Sequence, residues 1–84
     1  MNELVSYEPA TGAELWRGKP SDVDAAVAAA RKAWPLWASK PLGERVEKVR
    51  HFANRTRGEL EKLADLIARE TGKPLWEART EVES

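Results

Sequence analysis

The chain has 84 residues, with fourteen Lys and Arg, fourteen Asp and Glu, and no cysteine. This length allows one small domain at most, the balanced charge creates no net field to attract nucleic acid, and no stretch of about 18 apolar residues could span a membrane. Without cysteine there are no disulfides and no thiolate metal ligands, which fits a reducing compartment, so we expect a cytoplasmic protein. The balanced charge and the lack of a long apolar stretch predict no nucleic-acid partner and no membrane partner.

The first predicted element is a β-hairpin over residues 3–17. Two short runs with β-branched or aromatic members, 4–7 and 13–16, flank a turn that contains Pro9 and Gly12, a pattern typical of two strands joined by a loop of several residues. An isolated two-stranded hairpin is only marginally stable in water. We therefore expect its larger side chains to rest on another part of the protein: Leu4, Tyr7, Leu15 and Trp16.

A first helix is predicted over residues 22–34, with Ser21 as its N-cap because an acidic residue follows three positions later. Apolar residues recur there at helical spacing within an Ala-rich stretch of high helix propensity. Pro35 lacks a backbone N–H and disfavours α geometry at Trp34. The helix is therefore predicted to end near Trp34, and residues 35–41 are predicted to be a connector.

A longer apolar stripe predicts helices over 42–57 and 59–71. Its members are spaced alternately four and three residues apart: Leu42, Val46, Val49, Ala53, Thr56, Leu60, Leu63 and Ile67. This spacing is also that of a coiled coil, although Ala53 and Thr56 are poor residues for the centre of such a seam. Gly58 costs a helix about 1 kcal/mol relative to alanine. We therefore predict a break at this glycine that separates the two helices.

The last segment predicts a turn and a new helix over residues 74–84. Gly72 suits the left-handed residue that ends a helix, and Pro74 stops the same helix from continuing but is accepted in the first turn of the next one. The helical pattern is still running at Ser84. We therefore expect residues 1–84 to be an excerpt of a longer protein. The excerpt itself should contain no complete domain.

The side chains of the sequence predict no active site. His51 is the single imidazole, and neither a second metal ligand nor a base accompanies it. Acidic residues alternate with Lys and Arg at spacings of three and four, as on solvated helix faces. Residues 71–74, Thr-Gly-Lys-Pro, lack the first glycine and the preceding strand of a phosphate loop. We predict no catalytic, cofactor-binding or metal-binding residue in this chain.

Four tryptophans are many for so short a chain: Trp16, Trp34, Trp37 and Trp76. They could form a stacking platform for a ligand, but their apolar neighbours and their positions near helix ends favour anchors that pack one element on another. If the chain is an excerpt, several of them should lie on surfaces that another part of the protein covers.

Four segments, in this order along the chain, resemble the N-terminal part of aldehyde dehydrogenases. They are 7–12 (Tyr-Glu-Pro-Ala-Thr-Gly), 22–31 (Asp-Val-Asp-Ala-Ala-Val-Ala-Ala-Ala-Arg), 34–37 (Trp-Pro-Leu-Trp) and 70–74 (Glu-Thr-Gly-Lys-Pro). Within that superfamily, residues 70–82 most resemble the succinylglutamate semialdehyde dehydrogenases of bacterial arginine catabolism. The resemblance implies a chain that is mainly α with an N-terminal β-hairpin, an excerpt of the larger α/β fold in the region of its cofactor domain.

The resemblance also implies where the chemistry lies. Members of the family use a cysteine nucleophile, an amide side chain at the oxyanion, a glutamate that activates water, and hydride transfer to NAD or NADP. None of these motifs matches a position in this sequence. The chain alone is therefore predicted to be inactive, with the remainder of the dehydrogenase chain as its partner, and homo-oligomers or self-association through exposed apolar faces are expected. The alternative hypothesis is a small helical interaction module that pairs through the stripe over 42–67.

Overall fold

In a computed structural model, residues 3–84 are described and form a β-hairpin followed by four helices. The elements are β1 (Leu4–Tyr7), β2 (Glu14–Gly18), α1 (Val23–Ser39), α2 (Leu42–Gly58), α3 (Leu60–Thr71) and α4 (Leu75–Glu83). The prediction of a mainly α chain with an N-terminal hairpin is confirmed.

The hairpin is antiparallel and contains one irregularity. Ser6 lies opposite Trp16, and beyond this pair the register shifts, which leaves Leu15 as the extra residue of a β-bulge. In the turn, Gly12 has a φ of 77° and donates its N–H to the carbonyl of Glu8 at 2.7 Å. A positive φ is readily adopted by glycine because it has no Cβ. The predicted position of the hairpin is therefore confirmed.

The N-cap of α1 differs from the prediction by one residue. Asp22, and not Ser21, has extended backbone geometry, and its carboxylate accepts the backbone N–H of Ala25 at 3.0 Å. A carboxylate at this place both satisfies a free N–H and places a negative charge at the positive end of the helix dipole. Charge therefore favours the aspartate over its serine neighbour.

The predicted end of α1 near Trp34 was wrong, because the helix runs through Pro35 to Ser39 and residues 35–41 are mostly helical. A proline inside a helix removes one hydrogen bond to the carbonyl four residues earlier, but it does not prevent the following turn. The chain leaves the helix at Lys40, which has a ψ of 146°. Lys40 precedes a second proline, which disfavours α geometry at the residue before it.

The predicted break in the long stripe is confirmed at its expected position. α2 ends at Gly58, and Glu59 is the one residue between α2 and α3, with φ and ψ of −106° and 18°. The carbonyl of Glu59 already accepts the N–H of Leu63 at 2.9 Å, so α3 starts at once. The stripe is thus divided between two helices. A coiled coil would need one continuous helix over these residues.

A three-residue connection lets α3 and α4 pack on each other. Gly72 has a φ of 81° and donates its N–H to the carbonyl of Ala68 at 2.9 Å, which is the left-handed cap predicted for it. Pro74 lies at the N-cap of α4, one residue before the first turn, and its carbonyl accepts the N–H of Ala78 at 3.1 Å.

The interior of the described chain is very small. Among residues 3–84, the two buried side chains are Ala64 of α3 and Ala78 of α4. The Cα radius of gyration is 17.0 Å, whereas a compact domain of this length has about 12 Å. The thinnest dimension is 14 Å, close to the diameter of about 10–12 Å of a single helix with its side chains. The elements therefore form one layer with little core of its own.

The two glycines that punctuate the helices are expected to respond oppositely to substitution by alanine. Gly72→Ala forces a Cβ into left-handed geometry and should lower helix stability by about 1 kcal/mol. At Gly58 an added Cβ meets no atom within 4 Å and φ is not positive, so Gly58→Ala should raise stability by about 0.5–1 kcal/mol. Thermal melting followed by circular dichroism at 222 nm measures both changes. If both substitutions shifted the melting temperature equally and in the same direction, the different backbone roles given to Gly58 and Gly72 would be contradicted.

Candidate functional site

The hairpin is held to α3 by one carboxylate. Glu70 accepts the hydroxyl of Ser6 on β1 through Oε2 at 2.7 Å, and the indole N–H of Trp16 on β2 through Oε1 at 3.2 Å. Both donors belong to one cross-strand pair. The sequence analysis missed this contact because Ser6 and Glu70 are 64 positions apart, and no periodicity within one element relates them.

Ion pairs join α3 and α4 across their connection. Arg79 of α4 meets Glu61 of α3 with two parallel hydrogen bonds, Nε to Oε1 at 2.8 Å and the second guanidinium nitrogen to Oε2 at 3.1 Å. The hydrogen bond with Glu61 raises the pKa of Arg79 above its ordinary value. Lys73 in the connection pairs with Glu81, which likewise raises the pKa of Lys73. Because these four side chains keep between 36% and 66% of their surface exposed, the pairs orient α4 more than they stabilise it.

An uncovered apolar surface runs along α2. We call it the α2 band; its residues are Leu42, Val46, Val49, Phe52, Ala53 and Thr56. Phe52 keeps 72% and Val49 keeps 59% of its surface exposed. Residues 42–58 contain no buried side chain. The apolar stripe predicted from the sequence is therefore present, but no residue of its first half is buried by another element of the chain.

Two open depressions follow the α2 band and share Val49. One, of about 460 Å³, lies between Trp37 at the end of α1 and the first turns of α2, and Arg45 and Arg50 line it. The other, of about 220 Å³, lies between α2 and the last residues of α4, with Arg57 and Glu83 at its edges. The band is thus a continuous apolar path whose borders carry both basic and acidic groups.

The four tryptophans do not pack into a common core. Their exposed fractions range from 38% at Trp37 to 68% at Trp76, and α1 has no buried residue over 23–39. Trp34 lines a shallow depression on α1 with Val27, Ala30 and Arg31. Trp34 and Trp37 therefore line separate depressions and do not form a common platform with each other.

The polar residues considered for chemistry lie on solvated faces. His51 is exposed and shares an open depression with Lys40, Lys48, Glu44 and Glu47, on a different side of α2 from the band. Glu44 approaches Lys40 at 3.9 Å, at the four-residue spacing of neighbours on a helix face. Over residues 3–84, no three His, Asp or Glu side chains gather in a way that could hold a metal ion.

The described residues do not fit a dinucleotide. Such a cofactor needs a parallel βαβ unit with a glycine-rich turn at a helix N-terminus, whereas the sheet over residues 3–84 is an antiparallel pair. The two glycines with positive φ lie in the hairpin turn and at the C-terminus of α3.

None of the helices described in this part of the chain has both the length and the apolar composition needed to cross a bilayer.

Comparison with known proteins gives consistent similarities. The model of the aldehyde dehydrogenase family matches residues 2–84. A relative from Sphingopyxis alaskensis is 70% identical over 82 residues, which are 98% of this chain and 17% of that protein. Relatives from Novosphingobium aromaticivorans and Chromobacterium violaceum are 65% and 53% identical over 82 residues, 98% and 94% of this chain and 17% of each relative. All three carry the name N-succinylglutamate 5-semialdehyde dehydrogenase.

Proposed function

The chain belongs to the aldehyde dehydrogenase family, and from this premise we propose that it is the N-terminal structural segment of an NAD(P)-dependent N-succinylglutamate 5-semialdehyde dehydrogenase. In this proposal the parent is a cytoplasmic enzyme that oxidises the aldehyde to a carboxylic acid during arginine catabolism. Residues 1–84 belong to its cofactor-domain region and supply packing surface to the remainder of the polypeptide.

The identity of 70% over 98% of the chain carries this proposal. The chain spans 17% of the length of the relatives that it matches, so the activity named for them rests on much more polypeptide than these residues. The shape of the chain supports the same assignment. Its accessible surface is 7115 Å², whereas a compact monomer of its mass exposes about 5,000 Å². A single layer of elements with so much extra accessible surface is suited to pack against the rest of a larger protein.

The contribution of these residues is therefore positioning and not chemistry. NAD(P) supplies hydride acceptance in the parent, and the residues described here offer no site that fits it. They also contain no thiol for a covalent step. Glu70 holds the hairpin against α3, and the Arg79–Glu61 pair orients α4. These contacts fix the layer whose uncovered faces meet the rest of the enzyme.

A chimera tests the proposal directly. The matched part of the Sphingopyxis alaskensis relative is replaced by residues 1–84 of this chain, and oxidation of N-succinylglutamate 5-semialdehyde is followed by NADH or NADPH absorbance. The chimera should approach the activity of the unaltered relative, while the same relative without this segment and residues 1–84 alone should show none. An inactive chimera beside an active relative would overturn the proposal, and so would turnover by residues 1–84.

One observation favours a second candidate, an independent helical interaction module. The α2 band is apolar and uncovered, as the docking face of such a module would be. This candidate predicts that residues 1–84 form a stable dimer at micromolar concentration. Sedimentation equilibrium over a hundred-fold concentration range distinguishes the two candidates. A defined dimer supports the interaction module. A monomer, or association without a defined end point, is expected if residues 1–84 are a segment without the rest of its enzyme.

A further inference from the structure

We draw no further inference here: the strongest candidate, the exposed apolar face of α2 around Val49 and Phe52, is bordered by acidic as well as basic side chains, and nothing in the structure shows what covers it.

Discussion

Glu70→Ala is expected to release the β-hairpin from α3. The substitution removes the acceptor of both Ser6 and Trp16, and a hydrogen bond to a charged group contributes about 1.5–3 kcal/mol. Because the indole bond is exposed and should contribute little, we expect a combined loss of about 2 kcal/mol, close to the value of the Ser6 bond alone. Amide hydrogen exchange over residues 4–18 should then be about 30-fold faster.

Two variants separate the carboxylate from a general effect of substitution. In Glu70→Gln, the amide oxygen can still accept the indole N–H of Trp16, which only donates, and the amide NH₂ can donate to the hydroxyl oxygen of Ser6. Its effect should therefore be clearly smaller than that of alanine. Glu47→Ala changes an acid on the far side of α2 and should leave hairpin exchange as it is. Unaltered exchange over 4–18 in Glu70→Ala would contradict the role given to this carboxylate.

The elements that the sequence predicted well are those set by local chemistry. Gly72 needs a left-handed conformation and Gly58 weakens a helix, so the end of α3 and the break before it follow from single residues. The end of α1 depends on a competition between neighbours. Pro35 removes one hydrogen bond, which the helix tolerates, whereas at Lys40 a second proline favours extended geometry. Identifying a proline does not by itself tell which of the two effects dominates.

The contacts that organise the layer could not be predicted in the same way. Glu70 and Ser6 lie 64 positions apart, and Arg79 meets Glu61 across 18 positions, not the neighbours at three or four that helix periodicity suggests. Such pairs depend on how elements meet in space. The apolar stripe was visible in the sequence, but the charge on its rim became apparent only when the depressions placed Arg50 and Arg57 beside it.

Ala78→Leu is expected to separate α4 from α3. Ala64 and Ala78 have no exposed surface, so the larger side chain has no space unless the two helices move apart. Overpacking of this kind costs about 1–3 kcal/mol. α4 has nine residues, and helices shorter than about 12–15 residues are marginal without tertiary contacts. We therefore expect residues 75–83 to lose most of their helical Cα chemical shifts in NMR spectra of the chain.

Ala28→Leu is the matched control, because it makes the same change on the exposed surface of α1, where the effect should be within about 0.5 kcal/mol. If 75–83 stay helical in Ala78→Leu, the ion pair of Arg79 with Glu61 must orient α4 without close packing of the alanines. If α4 unfolds, the packing of α3 on α4 depends on two methyl groups that ion pairs at the surface cannot replace. A segment whose interior is that small relies on the surface it offers to other polypeptide, and the α2 band is one such surface.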